Sequence, residues 1–452
     1  MGRRLLFIAY DFPPKGGTQS QHAASLAIAL AARGWDITVI TVSDPPTAML
    51  DTELERATAA AALRVVPVWS MEPTRIVQLM RRVAQRRRRG RGDEGAVLGP
   101  DTTAPGSRGY TRMPRWAIRL VQELFVPDEK IGWTPYVVRE AVRMHARRAF
   151  DVILATGPSY SAYGAARVLG RRLHVPWVAD LRDPIVGGYF FKPLTPLRNG
   201  LMRRFERRIV RSADRVIVPI VEMRDAILSR VTVPLDRFTV APNGFDPADF
   251  EGDVIAAGDR FVVSYVGTFQ ATIRPDVFLA AFARARELDP AFAADARIRF
   301  VGALDPETTA AIERTGVSDV VERTGFVSHL AAVAAMRTSS VNLFVLGPEP
   351  AARGILTSKL PEYLAAGRPV LALAPQGGVA SRLIERASAG VVVPPDDLDG
   401  CLAALVGLHA SWRAGTPSKP DPAVIDEFNR LHIADDVSAL LESLVAGEGP
   451  TS

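Results

Sequence analysis

The sequence predicts an α/β protein built of two tandem, doubly wound parallel-sheet domains. Three observations carry that reading. At 452 residues the chain exceeds what one hydrophobic core usually organises. Short apolar runs alternate with helix-period segments along most of it, as strand–helix–strand crossovers require. The alternation pauses at the turn-rich Asn243-Gly244-Phe245-Asp246-Pro247 and then begins again.

In the first half, Leu5–Tyr10 reads as a buried strand, because six nearly apolar residues in a row suit a parallel sheet covered on both faces. Asp11 and Pro13-Pro14 end the run too early for a secretory leader. Gln21–Arg33 reads as a helix stopped by Gly34, and Ile37–Thr41 as the next strand. Asp151–Ala155, a helix near Tyr163–Leu173, Trp177–Asp180 and Arg215–Pro219 continue the rhythm. In the second half the strands are Phe261–Gly267, Arg297–Gly302, Val341–Leu346, Pro369–Leu373 and Gly390–Val393. Helices Pro275–Leu288, Pro306–Thr315, His329–Met336 and Leu398–Leu408 lie between or after them, two opening on proline, which suits a first helical turn. The expected domains are residues 1–245 and 246–425, with a terminal helical segment over 426–452 and a flexible basic insertion over about 84–112.

Composition excludes several classes. A single cysteine, Cys401, permits no internal disulfide and no cysteine-based zinc site, which fits a reducing cytoplasm. The six histidines show no metal spacing, so no metal and no bound cofactor are expected. No apolar run is long enough to span a membrane. The net charge is +6, but eight arginines and no acid fall between Arg75 and Arg91. Without that run the rest is 6 − 8 = −2, so a local anionic partner is expected and nucleic acid is not. Ile76, Leu79, Met80 and Val83 form a helical apolar stripe there, beside Arg75, Arg81, Arg82, Arg86, Arg87, Arg88 and Arg89. This pattern suits a helix lying on an anionic membrane surface; a solvated basic helix end is the plainer alternative.

Four segments can carry chemistry. Lys15-Gly16-Gly17-Thr18 follows the first strand and precedes a helix, where glycines let backbone approach a ligand and helix amides meet an anion. It is neither a GxGxxG dinucleotide fingerprint nor a P-loop. Asp180-Leu181-Arg182-Asp183 also sits at a strand end, able either to orient substrate hydroxyls or to clamp a loop. Asp128-Glu129-Lys130 offers acceptor-side contacts through Asp128 and Lys130, or else a surface turn that packs Trp133 inward. Thr357-Ser358-Lys359-Leu360-Pro361-Glu362 places an ammonium and a carboxylate at i, i+3 on the first turn of a helix. The helix end and Lys359 suit a diphosphate, and Glu362 suits a ribose diol. A solvated ion pair is the alternative, worth roughly 0.2–0.5 kcal/mol. Arg274, near the end of another strand, is a second phosphate candidate.

The order and spacing of Tyr10–Gln21, Asp151–Asp183, Ala241–Asp246 and Thr357–Val370 resemble the family-four glycosyltransferases of the GT-B fold, and are similar to those of bacterial polysaccharide assembly. The resemblance spans nearly the whole chain apart from the arginine-rich insertion. It implies two Rossmann-like domains facing a cleft, the first taking the acceptor and the second the nucleotide-sugar, with the terminal helix crossing back. It implies transfer with retention of anomeric configuration and no metal. The partners would be a nucleotide-diphosphate sugar and a glycan or lipid-linked acceptor, met at the cytoplasmic face of the cell membrane. Carried onto this sequence, Gly16, Gly17, Arg274, Lys359 and Leu360 face the phosphates and Glu362 the ribose. Many members carry a further glutamate eight positions earlier; here that position is Gly354, and Glu349 is the acid that could stand in. The acceptor-domain histidine of many members is replaced by Ala155-Thr156-Gly157-Pro158. A nucleotide-sugar epimerase of the same fold, or a silent sugar-nucleotide or glycan-binding protein, are the other readings.

Overall fold

A computed structural model describes residues 2–43, 50–72, 123, 125–187, 195–252, 258–269 and 273–447. The arginines proposed for membrane contact and the basic insertion lie outside these residues. The chain folds into two compact units: residues 1–242 with 434–452, and residues 243–433.

In the first unit the described strands are β1 (Arg4–Ala9), β2 (Asp36–Val42), β3 (Arg64–Val68), β4 (Val152–Gly157), β5 (Trp177–Leu181), β6 (Arg215–Val218) and β7 (Phe238–Val240). They form one parallel sheet in the order β3-β2-β1-β4-β5-β6-β7. Strands β1 and β4 are buried along their whole length, which is why they read as uninterrupted apolar runs. Helices α1 (Thr18–Ala32), α2 (Thr52–Ala60), α3 (Thr134–Arg147), α4 (Tyr160–Leu173), α5 (Pro196–Ser212) and α6 (Val221–Leu228) make the connections. The edge strands β3 and β7 and the helices α3 and α5 go beyond the pattern read from sequence. The two strands are short and half-exposed, and α5 is so rich in arginine that its apolar stripe is hard to see. From Ala434 onward the terminal helix belongs to this unit: Ser438 accepts the Trp35 indole N–H at 2.9 Å, and Arg33 pairs with Asp435 at 2.6 Å.

The second unit repeats the plan. Strands β8 (Phe261–Val266), β9 (Ala296–Val301), β10 (Val321–Gly325), β11 (Val341–Val345), β12 (Val370–Leu373) and β13 (Gly390–Val393) pair in the order β10-β9-β8-β11-β12-β13. Its described helices are α7 (Asp276–Leu288), α8 (Pro290–Asp295), α9 (Pro306–Arg314), α10 (His329–Thr338), α11 (Lys359–Ala365), α12 (Val379–Arg386), α13 (Leu398–Arg413) and α14 (Pro422–Asp426); the terminal helix α15 (Arg430–Val445) has only its first turn, up to Ile433, in this unit. Aromatic packing holds α7, α8 and α13 on the sheet, with Phe292 at 5.1 Å from both Phe282 and His409. Cys401 lies in this core, where burial pushes its thiol up to about 12. No described helix is long and apolar enough to cross a membrane.

Both sheets reverse direction in the middle, between β1 and β4 and between β8 and β11. A crevice at the carboxyl ends of the strands is the expected ligand position in such sheets. In the second sheet two glycines lie on the β8 side of that point, Gly267 after β8 and Gly302 after β9. Gly302 has φ +128°, and a Cβ there would lie 2.3 Å from the Gly267 carbonyl oxygen. Gly302→Ala is therefore expected to destabilise the second unit by about 3 kcal/mol, through backbone strain and displacement of the Gly267 loop. Urea denaturation checks this; a midpoint equal to the parent's would show that the loop yields freely.

Candidate functional site

At the switch point of the first sheet a small pocket opens, lined by Tyr10 and Asp11 from the end of β1 and by Thr156, Gly157 and Ser159 from the end of β4. Gln19 and Ala23 of α1 close one side. The turn into α1 contains a cis Pro13–Pro14 bond, and Gly17 caps the helix at φ +106°, a conformation a side chain resists. Its carbonyl accepts the Gln21 amide at 3.0 Å, leaving earlier amides of the helix for a ligand. Lys15 is paired with Asp11.

The predicted acceptor-side residues gather around this pocket. Asp180, at the end of β5, is buried and accepts from Thr156 at 2.7 Å and from Arg182 at 3.1 Å; the His22 ring nitrogen lies 3.0 Å away. Burial opposes its ionisation, but Arg182 and the bonds from His22 and Thr156 outweigh it and hold its pKa well below the carboxylate range. Arg182 also donates to the Ala241 carbonyl at 2.9 Å, so it serves as a clamp. Burial raises the pKa of Asp183 despite Arg182 beside it. Asp128 takes the Ser161 amide at 3.1 Å and its hydroxyl, capping the start of α4. Lys130 lies 4.4 Å above the Tyr10 ring. Burial disfavours its charge, yet Asp11 and Asp128 prevail and raise its pKa. Trp133 is fully buried against Tyr10, with ring centroids 5.3 Å apart.

In the second unit, α11 starts at the switch point of its sheet. The Tyr363 hydroxyl is buried and accepts the Val266 amide at 2.9 Å, which ties the helix to the end of β8. Lys359 then lies over Gly267; a Cβ at that glycine would stand 2.0 Å from the ammonium and displace it, and φ of +132° there disfavours any side chain. The ammonium donates to the Tyr265 hydroxyl at 3.2 Å and sits 4.7 Å from that ring, which stacks on Phe269. Burial lowers the Lys359 pKa to about 8, with Glu362 opposing. Burial likewise raises the pKa of Glu362, against the favourable charges of His329 and Arg430. Among the described residues no ion pair joins Lys359 to Glu362, and the Glu362 carboxylate accepts no hydrogen bond. The Thr357 hydroxyl is also buried without a partner there.

Around Glu362 the structure gathers groups that the sequence did not signal. His329 lies 2.7 Å from Asp249, whose hydrogen bond raises the His329 pKa against the effect of burial. Arg430 pairs with Asp246 at 3.5 Å and donates to the Gly244 carbonyl at 3.1 Å. These residues are far apart in the chain and match no spacing motif. His22 was missed for the same reason.

Other expected contacts are placed differently. The Leu360 amide donates to Thr357 at 3.3 Å and Pro361 has no N–H, which leaves the Ser358 and Lys359 amides for an anion. Arg274 is bound to Asp276 at 2.9 Å and to Glu307, so its guanidinium is occupied by carboxylates. Glu349 opens the turn Pro350–Gly354. A Cβ at Gly354 would meet nothing within 4 Å, so space does not forbid a glutamate there.

Two predictions follow from the α11 geometry. Tyr363→Phe strands the buried Val266 N–H and should cost about 1–3 kcal/mol of unfolding free energy, read by urea denaturation; no loss would mean the bond is replaced. Lys359 binds its proton more weakly folded than unfolded, so the unfolded chain holds more protons between pH 8 and the ordinary lysine range. Stability relative to Lys359→Met should therefore rise with pH across that window. A constant difference between the two proteins from pH 7 to about 10 would contradict it.

Comparison with known proteins agrees with this layout. Residues 17–244 match the family model described as a glycosyl transferase 4-like domain, and residues 260–411 match that of glycosyl transferases group 1. D-inositol 3-phosphate glycosyltransferase of Stackebrandtia nassauensis is 30% identical over 105 residues, 22% of this chain and 24% of that protein. The chain thus aligns with about a quarter of the relative's length. Sucrose-phosphate synthase of Thermosynechococcus elongatus superposes with a TM-score of 0.64 at 18% identity, over 98% of this chain and 100% of that one. HepE of Anabaena, solved with UDP and glucose, does so with 0.65 at 15% identity over the same shares. These likenesses show a GT-B fold.

Proposed function

The chain belongs to the glycosyltransferases that join a transferase 4-like domain to a group 1 domain, and we propose that it moves a sugar from a nucleotide-diphosphate donor to a glycan or lipid-linked acceptor. The reaction class we propose is retaining and metal-independent, in polysaccharide or cell-envelope assembly at the cytoplasmic membrane face. One observation carries the donor half of the reading. Glu362 and Lys359 are desolvated on the first turn of α11, and among the described residues no ion pair joins them; the attraction each feels from the other does not offset burial. Leaving two opposite charges so is costly unless a ligand supplies their partners.

A nucleoside diphosphate has the matching groups. The Glu362 carboxylate accepts both hydroxyls of a ribose diol, while Lys359 and the Ser358 and Lys359 amides hold the diphosphate. During transfer the sugar–phosphate bond breaks and charge grows on the leaving diphosphate. Lys359 stabilises that charge, and the leaving oxygen takes the proton of the attacking acceptor hydroxyl on the same face of the sugar. In the first unit we assign Asp11, Gln19 and Lys130 to acceptor contact. Asp180, Arg182 and Asp128 already serve other groups of the protein and hold the pocket walls in place. Glu349 keeps its place as the candidate for a sugar contact, beside the vacant position 354.

The donor assignment is tested by titrating UDP and GDP into the parent and Glu362→Ala. Loss of two hydrogen bonds to a charged group should weaken the nucleotide that binds by about 100-fold or more; equal affinity would remove Glu362 from the site. Lys359 adds a pH signature. Its pKa is about 8 in the free protein, and a bound diphosphate favours the ammonium. Affinity should therefore fall as pH rises above 8 in the parent and stay flat in Lys359→Met. A parent profile as flat as the variant's would refute the diphosphate contact.

A further inference from the structure

Among the described residues a number of arginines pair with carboxylates of neighbouring elements. Arg286 with Asp319, Arg299 with Glu322 and Arg386 with Glu427, each at 2.7 Å, are typical. One face of the first unit gathers arginines that are not paired in this way. Helices α4 and α5 both cross the same side of the sheet, because β4, β5 and β6 follow one another in order. They touch, with Phe205 of α5 3.9 Å from a Cβ placed at Gly164 of α4. Arg203, Arg204, Arg207, Arg208 and Arg211 are exposed on α5. Beside them on α4 stand Arg167, Arg171 and Arg172; Arg167 feels the charges of both Arg171 and Arg208.

Among the described residues, none of these eight guanidinium groups has a carboxylate within ion-pair distance. Helix α4 contains no acid. The one acid of α5, Glu206, is buried and bound to Arg230 at 2.9 Å. Asp214, an exposed acid just past the end of α5 in the chain, accepts the Trp177 amide at 2.8 Å. Like charges brought together in this way repel one another unless a polyanion covers them.

The face also carries apolar side chains. Leu197, Leu201, Arg204, Arg208 and Arg211 follow one another at intervals of four, three, four and three, a single stripe along the helix. Leu197 is 75% exposed and Leu201 41%, with Val168 of α4 also 41% exposed. Water-exposed leucines gain nothing from a soluble polyanion or a nucleic-acid backbone. They gain from the headgroup–acyl boundary of a bilayer, where arginines meet lipid phosphates at the same depth.

We propose that the outward face of α4 and α5 is a docking surface for an anionic lipid bilayer. Its residues are separate from the donor site and from the arginine-rich stretch between Arg75 and Arg91. On the function proposed above, on which this consequence rests, docking there would hold the acceptor-binding unit at the membrane without a spanning helix.

Flotation of the full chain with phosphatidylcholine vesicles, with and without phosphatidylglycerol, tests this. The parent should float with the anionic vesicles only, and high salt should release it. The triple variant Arg204→Ser, Arg207→Ser, Arg208→Ser should bind on the order of 100-fold more weakly, at about a factor of five per arginine. The pair Leu197→Ser, Leu201→Ser should also weaken binding with every charge kept. Urea denaturation of both should match the parent, which verifies folding, and unchanged nucleotide affinity separates this surface from the donor site. If the triple variant does not fold, Arg171→Ser with Arg172→Ser replaces it. The proposal is overturned if the parent stays unbound, if it floats equally with neutral vesicles, or if the arginine variants float like the parent. It is overturned as well if the leucine pair binds undiminished, because the partner is then a polyanion and not a bilayer.

Discussion

A parallel sheet cannot leave a face open to water, and this requirement governs both units. Every strand must be followed by a helix that returns over one face or the other, and the return has one hand. Where the winding changes direction, the helices depart to opposite sides and the carboxyl ends of two strands remain uncovered. The first unit has its pocket there, at Tyr10 and Thr156. The second has Gly267 and the start of α11. The positions of both candidate sites thus follow from covering the sheet.

What differs between the two sites is how far their charges are already satisfied. In the first unit Asp180, Arg182 and Asp128 form a network with protein partners. Such a network sets the shape of a pocket, because each group is held by more than one neighbour. In the second unit Lys359 and Glu362 are withdrawn from water but not given to each other. Tyr363 keeps them there by fastening α11 to β8. The first arrangement is suited to orienting hydroxyls, the second to receiving a charged ligand. This contrast fits a transferase in which one substrate brings its own negative charge.

The same distinction separates the arginines of the surface. Those paired with carboxylates brace neighbouring elements and add little net charge. Those on α4 and α5 have no such partners among the described residues and sum to a field. Their helix also buries Arg198, which donates to the Phe125 carbonyl at 3.0 Å, so not every arginine of α5 is available to solvent. Composition alone cannot make that division.

The sequence by itself determined the fold class, because the apolar runs and helix periods are local and both halves carry them clearly. Leu5–Tyr10 and Val341–Leu346 were legible as buried strands, and Thr357–Glu362 as a helix start bearing an acid and a base. Short edges such as Phe238–Val240 were not legible, since three half-buried residues carry too weak a pattern. Nor were the charges that surround Glu362. His329, Asp249 and Arg430 reach it only through the winding of the second sheet, and His22 meets Asp180 across 158 residues. Arg274 read as a free phosphate contact until the fold brought Asp276 and Glu307 against it. Local sequence states which charges exist; tertiary structure decides which of them are neutralised, because burial and long-range pairing act between residues that the chain keeps far apart.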